Sequence, residues 1–203
     1  MQQLTKKERA TKERIIFFED DIKKIYDNGK IRAPIHLSGN NEDSLIRIFR
    51  KIKKKDWVIS TWRSHYHALL HGFPEKLLRK RIIQGRSMGI NSKKHKFYSS
   101  SIVGGGIPIG LGIAMANKRK NINSLVWIFI GDMTHETGVF HECYKYVKNF
   151  KLPVRFIVED NNLSTNTPTD KTWKIKSIPK KDVLYYRYKR KFPHHGTGNW
   201  VLF

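Results

Sequence analysis

Three positions near the middle of this sequence carry oxygen atoms of the kinds that bind a hard divalent cation. Asp132 follows an apolar run over residues 125–130, and Asn161 follows a second apolar run over residues 154–158. Such a cation prefers carboxylate, amide and backbone carbonyl oxygens. Asp132, Asn161 and the carbonyl of Leu163 supply one of each. The chemistry that they predict is the binding of a cation shared with the oxygens of a diphosphate.

The elements that must position these residues form a β–α–β unit. Residues 125–130 and 154–158 are rich in β-branched and aromatic residues, which is typical of buried strands. Between them, apolar residues recur at three- and four-residue steps and predict a helix over residues 137–150. A right-handed crossover makes the two strands parallel, so Asp132 and Asn161 are expected at one carboxyl edge of the sheet. The alternative is an α/β sheet whose strands merely end in polar residues.

The motif GDM at residues 131–133, followed by EDNN at residues 159–162, resembles the GDG…NN signature of thiamine-diphosphate enzymes. Among these, the chain is most similar to the alpha subunit of the decarboxylating component of 2-oxo acid dehydrogenases, or to a related transketolase-like protein. The resemblance implies an α/β fold with a parallel sheet and helices on both faces. It also implies that Asp132, Asn161 and the Leu163 carbonyl hold a Mg2+ that anchors the diphosphate of thiamine diphosphate.

Residues before the central motif are assigned to the same site by the resemblance. His36 matches a histidine that lines the substrate pocket, although a histidine that packs under the following turn is the alternative. Trp62 and Arg63 match a Tyr-Arg pair that binds the diphosphate. Arg63 offers a planar donor fork suited to phosphate oxygens, whereas at Trp62 an indole N–H replaces a phenol.

Two further histidines follow Arg63 closely. His65 is expected on the cofactor side, where it is a candidate catalytic residue together with His36, and His67 is expected on the core side. A structural role is the alternative for each of them.

A glycine-rich stretch over residues 97–118 precedes the central motif. Glycines 104–106 let a backbone approach a ligand closely, and the helix after them is predicted to run through residue 116. By the resemblance, this stretch contacts the aminopyrimidine. Val103 then props the cofactor in its bent shape, and Ser101 stands where relatives have glycine or serine. Close packing alone is the alternative.

Met133 departs from the family pattern, which commonly has glycine after the metal-binding aspartate. A methionine still presents its backbone N–H to a diphosphate if its φ is negative, and Thr134 adds a second N–H. Both residues are therefore candidate cofactor-binding residues.

The remaining periodicities predict further elements. Helices are expected over residues 5–29, 41–52 and 76–84, a short strand over residues 56–61, and a polar loop over residues 85–96.

The composition is that of a globular protein, with 203 residues, 39% of them hydrophobic and 28% charged. We expect one diphosphate-binding domain over residues 1–203, with an N-terminal helix in residues 1–30 and a basic, aromatic tail in residues 170–203. In the tail, residues 200–203 are expected either to add an edge strand or to dock on a partner. The single cysteine, Cys143, fits a reducing cytoplasm, and no run suits a membrane span.

The net charge of +23 raises the question of a nucleic-acid partner. Basic runs over residues 51–55, 76–81, 93–96 and 174–190 match no nucleic-acid motif, and no stacking-aromatic pattern accompanies them. We therefore expect neither a nucleic-acid nor a membrane partner. A base-biased genome and an acidic partner or anionic substrate both stay open as explanations of the charge.

The resemblance covers only the diphosphate-binding half of such an enzyme. In the family, the glutamate that activates the aminopyrimidine comes from a pyrimidine-binding domain, which is carried by the beta subunit when the halves are separate chains. A beta-type partner and a hetero-oligomer are therefore implied. Three functions remain: a subunit that decarboxylates a 2-oxo acid, a transketolase-like ketol transferase subunit, and a degenerate scaffold without a cofactor.

Overall fold

Five parallel strands form the central sheet, in the order β2-β1-β3-β4-β7, and two short antiparallel strands form a separate hairpin. The structure is a computed structural model that describes residues 3–174 and 181–202. The strands in these residues are β1 (Trp57–Ser60), β2 (Phe97–Ser99), β3 (Val126–Gly131), β4 (Val154–Asp160), β5 (Leu163–Ser164), β6 (Thr167–Pro168) and β7 (Leu184–Arg187).

Helices cover both faces of this sheet. They are α1 (Lys6–Asp27), α2 (Glu42–Phe49), α3 (His65–Leu70), α4 (Glu75–Ile83), α5 (Gly106–Arg119), α6 (Asp132–His135), α7 (Gly138–Asn149) and α8 (Thr169–Thr172). Helices α1 to α4 pack on one face, and α5 and α7 pack on the other. The predicted fold class, a parallel sheet with helices on both faces, is confirmed.

The strands feed two separate cores because successive side chains of a strand point to opposite faces. In β3, Trp127 and Phe129 join the core under α1 to α4. Ile128 and Ile130 join the core under α5 and α7. A strand buried on both faces reads as an unbroken apolar run, which is what made β3 recognisable in the sequence.

Local signals fix the helix ends. Thr5 and Glu8 form a capping box at the start of α1, in which each side chain accepts from the other residue's backbone N–H. The Thr137 side chain accepts from the N–H of Phe140 at the start of α7. The predicted helix over residues 137–150 is therefore observed to within one residue at each end.

Two strands differ from the sequence predictions. Strand β2 was not expected from the sequence, since three residues are too few to show the alternation of a strand. It lies at the start of the glycine-rich stretch. The tail contributes β7 as an edge strand of the sheet. Of the two alternatives expected for residues 200–203, the edge strand is wrong for the described positions. Residues 200–202 are not in a strand, and Trp200 is 90% exposed. Residue 203 lies outside the described residues. Within the described residues, no helix is both long and apolar enough to cross a bilayer.

Candidate active site

Strands β3 and β4 bring the two predicted metal-binding side chains to one edge of the sheet. The strands pair in parallel register, with Ile130 beside Val158 and Gly131 beside Glu159. Asp132 follows β3 directly as the first residue of α6, and Asn161 follows β4. The predicted convergence at the carboxyl edge is thus observed.

Asp132 is buried, and its two carboxylate oxygens have different surroundings. Oδ2 accepts a hydrogen bond from the hydroxyl of Thr169, which is itself buried. Oδ1 has no hydrogen-bond partner among the described protein atoms. Burial raises the pKa of Asp132, as does the nearby Asp160 carboxylate, while the hydrogen bond from the Thr169 hydroxyl opposes this increase. A buried oxygen without a partner is costly, so the geometry suits a cation at Oδ1.

Asn161 and Leu163 are held next to this carboxylate by a short hairpin. The Asn161 Oδ1 atom accepts from the N–H of Leu163 at 3.0 Å, and its Nδ2 donates to the hydroxyl of Tyr188 at 3.1 Å. Leu163 stands opposite Pro168 in the β5–β6 pair. The neighbouring pair is the hydrogen-bonded one, with the Thr169 N–H donating to the Asn162 carbonyl at 3.1 Å. Leu163 is therefore in a non-hydrogen-bonded pair, and its carbonyl points away from β6 and is available as a ligand.

Groups of acidic, histidine or cysteine side chains do not provide an alternative metal site. Within residues 3–174 and 181–202, no three such side chains lie close enough together to hold a metal ion. A metal site in this region of the protein therefore depends on the single carboxylate of Asp132 with amide and carbonyl oxygens.

An open cleft lies beside these residues. It is lined by both ends of the motif, by residues that follow β1, and by residues that follow β7. Its lining includes Asn41, Trp62, Arg63, Val103, Met133, Thr134, Glu159, Asn161, Leu163, Tyr188, Arg190 and His194. The two arginines make the cleft suited to an anionic ligand.

Arg63 is buried, and two backbone carbonyls orient its guanidinium group. Its guanidinium donates to the carbonyl of Leu37 and, at 3.2 Å, to that of His194. Burial lowers the pKa of Arg63 from its ordinary value, yet a guanidinium keeps its charge. Since both acceptors are neutral, its positive charge remains available to the cleft.

His36 lies behind the wall of the cleft. Its Nδ1 lies 2.6 Å from the carbonyl of His194 and therefore carries the proton. Its ring lies 6.0 Å from the Trp62 ring and 4.8 Å from the His194 ring, measured between centroids. Burial, with help from the Arg63 charge, lowers the pKa of His36 to about 3. His36 is neutral near pH 7, and Nε2 is its basic nitrogen.

The structure does not bring His65 to the cleft. Its ring is fully buried, with Nδ1 3.2 Å from a Glu19 carboxylate oxygen and Nε2 2.8 Å from the Ser87 hydroxyl. The first turn of α3 points it into the core under α1, so the expected position on the cofactor side is wrong. His67, expected on the core side, is buried, and its Nε2 lies 3.2 Å from Glu159, a residue of the cleft.

Met133 and Thr134 line the cleft from the first turn of α6. First-turn N–H groups have no partner within their own helix, so both remain candidates for binding an anion. The Met133 sulfur accepts from the indole N–H of Trp173 at 3.2 Å. This contact turns the methionine side chain toward Trp173, and Met133 has a negative φ, as presentation of its N–H requires.

Val103 and Ser101 have different positions. Val103 lines both the main cleft and an adjoining cavity of about 290 Å³. Ser101 is exposed and lines neither, so the structure gives no support for it as a cofactor-binding residue. The glycines nearby serve packing: a Cβ atom at Gly110 would lie 2.7 Å from the Ile128 side chain, and Gly104 has a φ of +74°. The packing alternative for this stretch is therefore supported.

Comparison with known proteins decides the family. The family model described as "Dehydrogenase E1 component" matches residues 10–186. This chain belongs to the dehydrogenase E1 component family.

Curated relatives of this E1-family chain are alpha subunits. It is 31% identical over 160 residues to "Pyruvate dehydrogenase E1 component subunit alpha-3, chloroplastic" of Arabidopsis thaliana, covering 71% of this chain and 37% of the relative. It is 31% identical over 176 residues to "Pyruvate dehydrogenase E1 component subunit alpha" of Rickettsia typhi, and 29% identical over 181 residues to the protein of that name from Porphyra purpurea. Each of these two alignments covers 81% of this chain and 53% of the relative. The chain thus spans about half the length of these relatives, or less.

This E1-family cleft also contains residues to which the sequence assigned no role, among them Glu159, Tyr188, Arg190 and His194. Three of them follow β7, which pairs in parallel with β4 and so delivers them to the same edge. The signal that could have found them is a parallel strand at residues 184–187. Its four residues alternate in burial, but a run so short gives little periodicity.

Proposed function

We propose that this chain is the alpha-type subunit of a thiamine-diphosphate-dependent 2-oxo acid dehydrogenase, and that it binds Mg2+ and the diphosphate of the cofactor. The observation that carries the proposal is the buried Asp132 carboxylate, with one oxygen held by Thr169 and the other without a partner. The membership of the E1 family supports it.

The residues present fit a magnesium ion. Asp132 Oδ1, Asn161 Oδ1 and the Leu163 carbonyl would hold it, and oxygens of the diphosphate would supply further ligands. Asn161 Oδ1 has a second lone pair besides the one that accepts from the Leu163 N–H. One protein carboxylate is appropriate here, because the diphosphate brings most of the negative charge.

The positive side of the cleft would bind the diphosphate. Arg63, held by neutral carbonyls, and Arg190, which donates to the Thr165 carbonyl at 2.8 Å, both line the cleft. The N–H groups of Met133 and Thr134 add neutral donors. Trp62 offers an indole N–H from the end of β1.

When bound, thiamine diphosphate supplies the carbon nucleophile and the electron sink for decarboxylation. The residues of this chain orient it and control protons around it. Neutral His36 carries its proton on Nδ1, donated to the His194 carbonyl, so it accepts protons only at Nε2. Arginines and histidines around the cleft favour an anionic substrate, and pyruvate is the first 2-oxo acid to test because the relatives' names contain it.

The chain would act with a beta-type subunit that carries the pyrimidine-binding domain and its activating glutamate, and a cytoplasmic location is part of the same proposal. The transketolase-like alternative is less well supported, because the similar curated proteins are dehydrogenase alpha subunits. A scaffold without a cofactor remains the competing function, motivated by Met133 and Trp62.

Calorimetric titration of the full chain with thiamine diphosphate and Mg2+ tests the proposal. We expect saturable heat that is absent without Mg2+, and its loss in Asp132→Ala. Asp182→Ala is the matched control, because Asp182 is an exposed carboxylate bonded to Tyr144 and Lys148, outside the cleft. No heat from the unmutated chain, even with a beta-type subunit added, would favour the scaffold.

A turnover assay tests whether the chain needs a beta-type subunit for activity. We expect no pyruvate decarboxylation by the chain alone, and activity after addition of a beta-type subunit. Full activity of the isolated chain with cofactor and Mg2+ would refute the need for a second polypeptide.

A further inference from the structure

The amino-terminal edge of the sheet, opposite the cleft, carries a row of basic side chains that we call the basic ridge. Each of the strands β1 to β4 is preceded by, or begins with, lysine or arginine. The ridge consists of Lys53, Lys54, Lys55, Lys93, Lys94, Lys96, Lys118, Arg119, Lys120, Lys151 and Arg155. All of them are exposed except Lys96, which is half-buried.

Contacts between the segments that precede the strands join these separate basic runs into one surface. The Lys96 ammonium donates to the Lys55 carbonyl at 2.9 Å, and the Ser124 hydroxyl donates to the same carbonyl at 2.7 Å. The Lys118 ammonium reaches the carbonyl of Phe150. The runs therefore lie side by side in the strand order β2-β1-β3-β4. With strands about 4.8 Å apart, the ridge is roughly 15 Å long.

Some basic side chains elsewhere on the molecule pair with acids. Five such ion pairs on the described surface are Lys12–Asp43, Arg14–Glu75, Lys23–Asp27, Arg50–Glu8 and Arg79–Asp21. In the described residues, no ridge side chain forms an ion pair; the nearby Asp182 is taken by Lys148. Because the chain has 40 lysines and arginines against 17 acidic residues, unpaired basic side chains also occur elsewhere. What distinguishes the ridge is that its basic runs adjoin one another along one edge of the sheet.

An apolar groove adjoins the ridge between the last turns of α5 and α7. Its volume is about 680 Å³, and it is lined by Met115, Tyr146, Phe150 and Leu152, with Lys118 and Arg119 of the ridge at its rim. Tyr146 and Phe150 are 38% and 45% exposed, and their ring centroids are 4.3 Å apart. Clustered exposed aromatic side chains are typical of a binding surface.

We propose that the basic ridge and this groove bind an acidic segment of another protein that inserts apolar side chains into the groove. The uncompensated positive charge requires an anionic partner. The apolar lining favours a polypeptide over a nucleic acid, since aliphatic and aromatic side chains fill such a groove and a phosphate backbone does not. The surface lies at the sheet edge opposite Asp132, so this inference is independent of the proposed function.

Fluorescence anisotropy with a labelled probe tests the inference on the full chain. The probe is a synthetic peptide of 14 residues with leucine at positions 1, 4, 8 and 11 and glutamate elsewhere. We expect saturable binding that weakens about tenfold between low and physiological salt, because exposed charge pairs are screened. The triple variant Lys53→Glu, Lys54→Glu, Lys55→Glu is expected to bind about tenfold more weakly.

Two further variants separate charge from shape. Tyr146→Ser with Phe150→Ser is expected to weaken the peptide about fivefold, by loss of apolar contact. The matched control reverses the same number of charges at the start of α1, in Lys6→Glu, Lys7→Glu, Arg9→Glu, and is expected to bind the peptide within twofold of the unmutated chain. Each variant is used only if its circular dichroism spectrum is identical to that of the unmutated chain, which shows that its fold is retained.

The outcomes are distinct. No saturable binding of the peptide, or an equal loss in the α1 control, overturns the proposal. A 14-nucleotide single-stranded DNA that binds more tightly than the peptide, and is insensitive to the Tyr146 and Phe150 substitutions, overturns it in favour of a nucleic acid. Losses in both ridge and groove variants, with the control unchanged, support it.

Discussion

The two edges of the parallel sheet can be compared through one buried aspartate at each, Asp56 and Asp132, which differ in how completely their oxygens are hydrogen-bonded. At the amino edge, Asp56 accepts from the N–H groups of Leu125 and Lys53 and from the indole of Trp127, at 3.0 to 3.1 Å. At the carboxyl edge, Asp132 accepts from Thr169 through one oxygen and has no described partner at the other. Burial alone does not distinguish them, since both are at most 6% exposed.

The difference teaches how to separate a structural carboxylate from a functional one. A carboxylate whose oxygens are all bonded joins the strands that surround it, and its removal leaves buried donors unpaired. A buried carboxylate with a spare oxygen costs stability as long as that oxygen has no partner. The buried Glu19 in the core also has a carboxylate oxygen without a described partner, so it is the position of Asp132 beside the cleft, together with its spare oxygen, that points to a ligand. The contrast predicts opposite effects of the same substitution at the two edges.

The largest expected effect is on ligand binding by Asp132→Asn. The substitution keeps the shape but removes the charge that Mg2+ requires, so thiamine diphosphate with Mg2+ should bind at least about 100-fold more weakly. Because burial raises the pKa of Asp132, its charge is unfavourable in the folded chain. The free energy of unfolding without ligand should therefore change by less than about 1 kcal/mol, measured by urea denaturation. Unchanged affinity would remove Asp132 from the site.

The same substitution at Asp56 should do the reverse. In Asp56→Asn one acceptor oxygen becomes a donor that faces the Leu125 or Trp127 N–H, and we expect a loss of about 2–3 kcal/mol in the free energy of unfolding. Calorimetric affinity for the cofactor and Mg2+ should stay within twofold of the unmutated chain, at a temperature where both are folded. A selective loss of affinity would contradict the division between the two edges.

A smaller effect concerns pH and the carboxyl edge alone. The pKa of His36 is about 3 in the folded chain, against about 6.5 when unfolded. Below pH 6.5 the unfolded chain binds a proton that the folded chain does not, so stability falls as the pH drops from 6.5 toward 3. Between pH 7 and 4.5, His36 should account for roughly 2 kcal/mol of this loss. His36→Gln should flatten the urea-denaturation profile by that amount, whereas the exposed His195→Gln should not.

The smallest expected effect sharpens the role of Thr169. Thr169→Val keeps the volume but removes the hydroxyl that holds Asp132 Oδ2, so the carboxylate loses its fixed orientation. We expect about tenfold weaker binding of Mg2+ in the presence of thiamine diphosphate, as is usual when a group that orients a metal ligand by a hydrogen bond is removed. Thr169→Ser, which retains the hydroxyl, should restore the affinity to within about threefold. An equal loss in both variants would mean that packing matters here and the hydrogen bond does not.

The sequence predicted the part of the site that is local. Asp132 and Asn161 each follow a strand with a strong apolar pattern, and parallel pairing of those strands fixes where they meet. It could not predict which face His65 would take, because a turn between β1 and α3 sets the direction of that helix. Nor could it reveal Thr169, whose role depends on a contact 37 residues away in the chain.

Long-range pairing explains the remaining differences. Strand β7 has four residues and little period, so neither its place beside β4 nor the arrival of Tyr188 and His194 at the cleft could be read from the sequence. The same holds for the basic ridge. Its runs are far apart in sequence, and only the order of the strands makes them neighbours.

The His194 carbonyl accepts hydrogen bonds from both His36 and Arg63. This arrangement has a consequence for biosynthesis. On the ribosome, strands β1 to β4 can pair while residues 188–196 are still inside the exit tunnel. At that stage the arginine and the histidine lack the oxygen that orients them. A translating chain would therefore complete the proposed site only after this late segment has emerged and folded back.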